Sequence, residues 1–308
     1  MLTGERSRWT VYATLVLVMT LWAGNSIVAR AVHEQIGPYS LAFCRWLGAT
    51  CVLMPFAARG LVVDKPVIRA HWRPILLLGL VGVGAFNTLL YSGLQYTTAT
   101  NGLLIQAGIP AFVLIFDRVL FGTNARAAAI YGVALSAVGV VTIIFRADPR
   151  ALLALHFGLG DALILTAVLA WSLYTALLRT RPPVRGTSFL AATFLIGAVV
   201  MFPFAAWEWT VSPPRFSHEV VLAIAYVAIL PSTVAYYLFN RAVAEIGAAS
   251  AGHMISLQPL LGAILAAPIL GEDLHGYHAA GMLLISTGII VSLRGRAANT
   301  RAGFEQES

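Results

Sequence analysis

Charge is scarce in this sequence. Of its 308 residues 11% are charged and 59% hydrophobic, and the mean hydropathy is +0.81; soluble domains carry about 25% charged residues. No polar interval is long enough to fold separately, which excludes both a soluble domain and a disordered chain. Acidic residues are missing from the middle of every apolar run: Asp117, Asp161, Glu208, Glu219, Glu245, Glu272 and Asp273 all fall near run ends. Carriers of lipophilic cations, and many proton-coupled pumps, need a carboxylate buried in the membrane. Its lack favours zwitterionic, neutral or anionic substrates. Cysteine is limited to Cys44 and Cys51, seven apart on one expected helix and unable to bridge. They read as small packing residues. There is no Gly-rich phosphate loop, no HExxH and no Cys/His pairing at metal spacing, so an ATP motor within the chain is excluded and no cofactor or metal is implied. Ser250 and His253 are close in sequence, but no activated-nucleophile motif surrounds them, and an enzyme is not expected.

What is present is apolar sequence in lengths that cross a bilayer, which takes about 20 helical residues. Ten runs qualify, near 11–32, 38–58, 74–96, 100–120, 126–145, 158–178, 187–207, 219–241, 248–269 and 276–294. The alternation of barrel strands is absent, so an all-α integral membrane protein of ten transmembrane helices is expected. The first run is too long for a signal-peptide core and reads as a retained span. The net charge of +7 forms no basic face for nucleic acid. Instead, with the N-terminus inside, fifteen Lys and Arg fall on the cytoplasmic side and four (Arg30, Arg146, Arg150 and Arg215) on the other, leaving Arg45 within a span. Both termini are expected to be cytoplasmic.

One register repeats through the chain. Pro110 and Pro259 lie 149 apart, and the same offset joins Trp22 to Trp171, Leu41-Ala42 to Leu190-Ala191, Gly48-Ala49 to Gly197-Ala198, Gly122 to Gly271, Gly132 to Gly281 and Gly139 to Gly288. The offset covers five spans, an odd number, so the halves are inverted relative to each other. The expected organisation is a first five-helix repeat over 1–146, an external linker over 147–157 around Asp148-Pro149, a second repeat over 158–296 and a cytoplasmic tail over 297–308. Inverted repeats recur in secondary transporters, where exchanging the conformations of the halves moves an opening from one face to the other.

The polar positions repeat too. Trp22, Asn25 and Ser26 correspond to Trp171, Tyr174 and Thr175; Asn87 and Tyr91 correspond to Tyr236 and Asn240, with Gln95 and Ser232 extending the two stripes. Side chains four apart share a helical face, and duplicated polar faces suit a central site approached from two sides; the alternative is ordinary hydrogen bonding between helices. Arg45 is a candidate carboxylate partner, or else it snorkels outward or holds carbonyls of a neighbouring helix. His253 is a candidate substrate contact or proton relay, or else a packing residue. Pro110 and Pro259 are candidate hinges, each expected to kink a helix near its middle. The small residues Ala128, Gly132, Ser136 and Gly139, with Gly281 and Gly288, suit close helix packing inside the protein, or a dimer contact, leaving monomer and homodimer both open.

Pro259 followed by Leu260-Leu261-Gly262, Leu270-Gly271-Glu272, the Trp in the first span of each half and the ten-span duplication resemble the EamA type of the drug/metabolite transporter superfamily. Gly122-Thr123 departs from the fuller Gly-Glu ending of the second half. Within that family LWAGNSIVAR and GPYSLAFCRWLGA look most like bacterial aromatic amino acid exporters. The resemblance implies an inner-membrane exporter of amino acids, Phe, Tyr and Trp among them, working by alternating access from a central cavity. On that view Trp22, Tyr91, Trp171 and Tyr236 stack on aromatic side chains, while Asn25, Asn87, Asn240 and Arg45 meet amine and carboxylate groups. A carrier of other small metabolites, such as nucleotide sugars, sugar phosphates or drugs, is the alternative.

Overall fold

The computed structural model describes residues 8–97, 102, 105–145, 158–270 and 276–306. Among these there are ten principal helices and no strand: α1 (Arg8–Ala31), α2 (Pro38–Ala70), α3 (Trp72–Leu94), α4 (Ile109–Phe121), α5 (Ala127–Ile144), α6 (Leu159–Leu177), α7 (Gly186–Val211), α8 (His218–Ile246), α9 (248–270) and α10 (Gly276–Gln306). Seven of them are long and apolar enough to cross a membrane unaided. The others are α4, cut short at its start, α9, interrupted by a 3-10 stretch, and α10, whose apolar part is Gly276–Ser292. The expected linker over 147–157 lies outside the described residues. Over the expected tail, α10 continues as helix through Gln306. α2 overruns its expected end by three turns, carrying Asp64, Lys65 and Arg69 beyond the apolar run.

The helices pair across the repeats. α5 lies against α10 through glycines: a Cβ on Gly139 would stand 2.8 Å from the carbonyl oxygen of Gly281, and one on Gly281 2.7 Å from that of Gly139. Gly132 and Gly288 meet the same way. The offset of 149 exchanges these two contacts, so a pseudo-two-fold axis passes between the helices. The small-residue strip therefore serves packing within the chain, where backbones close enough to touch gain dispersion over their whole length.

α2 and α7 form the second such pair, and each starts on a carboxylate supplied by the other. Glu208, buried near the end of α7, accepts from the backbone N–H of Tyr39 (3.3 Å) and Ser40 (2.7 Å) and from the Ser40 hydroxyl (2.6 Å). Asp64, near the end of α2, accepts from the N–H of Arg185 at 3.1 Å. A carboxylate at a helix N-terminus satisfies orphan N–H groups and opposes the positive end of the helix dipole. Neither helix supplies its own N-cap side chain.

The remaining helices, α1, α3, α4, α6, α8 and α9, enclose the centre. Two of them are interrupted there by π-helix, over Leu80–Ala85 in α3 and Ala228–Val234 in α8, at positions equivalent by the repeat. In α8 the cause is visible. Pro231 has no N–H, which frees the carbonyl of Val227, and the Ser232 hydroxyl takes that acceptor at 2.8 Å while Thr233 bonds Ala228 in the same i−5 pattern.

The prolines expected as mid-helix kinks sit elsewhere. Pro110 is in the first turn of α4, directly after a turn at residues 107–108, and Pro259 is the second residue of the α-helical part of α9, directly after a 3-10 stretch over Met254–Leu257. A first helical turn needs no N–H donor, so proline starts these helices instead of bending them.

Candidate functional site

Rings from both repeats meet at the centre. Trp22 on α1 and its repeat counterpart Trp171 on α6 pack edge to face, with centroids 5.4 Å apart at 81°. Tyr236 on α8 stands 5.7 Å from Trp22 and 5.5 Å from Trp171, and Phe239 one turn on stands 5.2 and 5.8 Å from the same two rings. Tyr174 and Phe86 close on Trp171 at 5.3 and 5.0 Å, and Trp46 with Phe194 closes on Tyr236 from the α2 and α7 side. Edge-to-face pairs favour fixed orientations because the ring edge is positive and its face negative.

The polar ends of these rings are bound to backbone that the π stretches release. Trp22 donates its indole N–H to the carbonyl of Pro231 at 2.9 Å, and Tyr236 directs its hydroxyl to the carbonyl of Gly82 at 3.4 Å. Gly82 and Pro231 are repeat equivalents. Asn87, on the same face of α3, donates to Val83 at 2.8 Å. On the other side Tyr174 donates to Asn240 Oδ1 at 2.9 Å, and Asn240 Nδ2 is buried with no acceptor among the described residues.

Asn25 and Tyr91 are half-buried, Tyr91 packing against the central cluster, whereas Ser26 and Gln95 are exposed. His253 is apart from the rings: it is buried on α9, with Nε2 2.9 Å from the Ser136 hydroxyl on α5. Arg45 is 5% exposed and so does not snorkel; its Nε donates to Ser232 at 2.6 Å, and its guanidinium carbon lies 4.7 Å from the Trp46 ring centre. Sequence reasoning did not find Trp46, Phe86, Phe194 or Phe239 as neighbours of this site. Phe239 carried a signal in its i+3 spacing from Tyr236, but the other three lack an aromatic counterpart 149 residues away.

The two ends of the centre differ. At the far end, remote from the start of α1, α3 and α6 touch through Gly93 and Gly160, where a Cβ on either would be 2.7 Å from the other's carbonyl oxygen. Thr97 donates to Asp161 at 2.6 Å beside this contact, and Tyr39 to Ser92 at 2.8 Å. At the near end the equivalent helices are α8 and α1, with Ala242 and Val11 in place of the glycines. There a cavity of about 270 Å³ runs in between Arg181, Leu190, Tyr237, Arg241 and Glu245 and reaches Asn240. A second, of about 240 Å³, lies beside the Arg179–Asp117 ion pair (3.0 Å) that joins α6 to α4. Among the described residues α3 and α6 thus touch at the far end, while both of these cavities lie at the near end.

Known proteins share this plan. A transporter of Archaeoglobus fulgidus named as uncharacterized is 30% identical over 281 residues, 90% of this chain and 95% of its own. The threonine/homoserine exporter RhtA of Salmonella typhimurium is 23% identical over 306 residues, 93% of each chain. A solved crystal structure superimposes with a TM-score of 0.77 at 20% identity, covering 95% of this chain and 99% of the other. The model of the EamA-like transporter family matches twice, over residues 9–145 and 158–294. The chain is a multi-pass membrane transporter that belongs to the EamA-like transporter family.

Proposed function

We propose that this transporter exports amino acids, aromatic ones among them, across the bacterial inner membrane by alternating access to the aromatic centre, with both termini in the cytoplasm. What supports this most is the cluster of Trp22, Trp171, Tyr174 and Tyr236, contributed by both repeats and bordered by Asn87 and Asn240. An aromatic ring entering this cluster would meet ring edges and faces of the kind that the cluster's own rings already offer one another. Asn240 Nδ2 offers a hydrogen bond at the point where the near-end cavity meets that cluster. The exporter activity of a relative aligned over nearly its whole length points the same way, and the excess of Lys and Arg at the near end supports the orientation.

The experiment is counterflow of a panel of labelled amino acids into liposomes holding the purified protein, with and without a pH gradient. Saturable uptake of phenylalanine or tryptophan, stimulated by unlabelled substrate inside, is the expected result. Uptake of phosphorylated sugars with no response to any amino acid would contradict it and favour a general metabolite carrier.

A further inference from the structure

We infer that Arg45 is the receptor for a carboxylate on the transported molecule, which makes the substrates of this carrier acids rather than their amine or amide relatives. The inference rests on the transport reading above and deepens it. Arg45 is on α2, 5% exposed, well inside a span. Its only side-chain hydrogen bond among the described residues runs from Nε to the Ser232 hydroxyl, and no Asp or Glu of the described residues is within salt-bridge distance. A guanidinium carries five N–H donors and no acceptor, so the four on its two terminal nitrogens remain to be matched. Those four are arranged as a fork that fits the two oxygens of a carboxylate.

The surroundings hold the group for that task. Ser232 gives its own proton to the carbonyl of Val227 at 2.8 Å, so its oxygen faces Nε as an acceptor and fixes the plane of the guanidinium. The Trp46 ring covers one side at 4.7 Å, and its buried indole N–H is a further donor without an acceptor among the described residues. The terminal nitrogens are not among the fully enclosed atoms, so their donors stay reachable, and with no Asp or Glu of the described residues beside them an anion carried by the ligand is the partner that matches both charge and fork. The repeat counterpart of Arg45 is Phe194, fully buried, with its ring 5.0 Å from Trp46 and 5.7 Å from Tyr236. The site is therefore polar on one side and apolar on the other. Such asymmetry orients a molecule with a charged head and an aromatic or aliphatic tail, which the symmetric Trp22 and Trp171 pair alone does not do.

The test is ligand binding to the purified full-length protein, read by quenching of its tryptophan fluorescence, with L-phenylalanine, L-phenylalanine amide and phenethylamine. Wild type is expected to bind the acid at least about tenfold more tightly than the amide or the amine, the size of a charge-assisted bidentate contact. Arg45→Gln should remove that preference by weakening the acid alone. Ser232→Ala should weaken the acid partially, and Arg45→Lys should keep the charge but lose the fork, with an intermediate result. Equal binding of acid and amide by wild type overturns the inference, as does an equal loss of both in Arg45→Gln. If Arg45→Gln fails to fold, the wild-type preference and the Ser232→Ala shift decide. Should no amino acid bind while other carboxylic acids are preferred to their amides, the amino-acid reading fails and Arg45 keeps its role. Absence of binding by every acid tried overturns both.

Discussion

Trp22 and Pro231 belong to opposite repeats, and the indole N–H of the first is bonded to the carbonyl of the second at 2.9 Å. The equivalent of Pro231 in the first repeat is Gly82, whose carbonyl faces the Tyr236 hydroxyl of the second. Each π stretch is therefore held by an aromatic ring from the other half. A ring that turns to admit substrate must release the carbonyl it holds, so motion at the centre and a change in α3 or α8 are mechanically joined.

Replacing Trp22 by Phe keeps most of the ring and removes the donor. Stability should fall by about 1 kcal/mol, the worth of one hydrogen bond. Initial counterflow rates should fall more than this loss of folded protein accounts for. Thermal unfolding in detergent and flux in liposomes, measured on the same preparation, separate the two effects.

Enlarging the far-end contact should move the conformational balance. Gly160→Ala places a methyl 2.7 Å from the carbonyl of Gly93 and 2.8 Å from the Thr97 backbone nitrogen, neither of which is a flexible side chain. The expected outcome is a loss of about 1–3 kcal/mol from overpacking and faster labelling of Thr97→Cys by a membrane-impermeant maleimide. Unchanged labelling would mean that α3 and α6 are not the closure at that end.

The carboxylate shared between α2 and α7 is a stability element. Glu208→Gln keeps the shape but gives up the charge that faces two N–H groups and the dipole of α2. A loss of about 1–2 kcal/mol is expected, seen as a lower unfolding midpoint with substrate affinity unchanged.

Gly139→Leu tests where the small-residue strip is used. It should destabilise the monomer by at least about 1 kcal/mol, because its Cβ meets Gly281 and Ile285. Light scattering should show no change in the mass of the particle in detergent. A variant that stays stable but dissociates a dimer would assign the strip to a contact between copies instead.

Much of this was legible in the amino-acid sequence, for identifiable reasons. Membrane helices announce themselves by length and apolarity, and an ungapped offset links residues as far apart as Trp22 and Trp171, which do meet. The relation of Tyr174 to Asn240 was half legible: both were on the duplicated polar faces, but their bond to each other depends on how α6 crosses α8. Other features were hidden because they depend on what a neighbouring helix brings. Glu208 looked like a run-end charge, and only packing makes it the cap of α2. Pro110 and Pro259 read as kinks because the apolar runs were taken as continuous; the turn before one is Ala107-Gly108, and the 3-10 stretch before the other holds a single polar residue, Ser256, too little to interrupt an apolar run. The π stretches leave no compositional mark in α3, although Pro231 marks the one in α8.

The exchange of ends by inverted halves is tested most directly at Ser92 and Arg241, which are repeat equivalents at opposite ends of the centre. Ser92 is half-buried and bonded to Tyr39, while Arg241 lines the near-end cavity. With Cys44 and Cys51 replaced by serine, Ser92→Cys and Arg241→Cys are to be labelled singly with an impermeant maleimide from each face of oriented vesicles. The expected result is that the Arg241→Cys thiol reacts from the cytoplasmic face and the Ser92→Cys thiol only slowly from the other. A substrate gradient driving export should then speed labelling of Ser92→Cys and slow that of Arg241→Cys. Labelling of both from one face, or rates that rise and fall together, would contradict it.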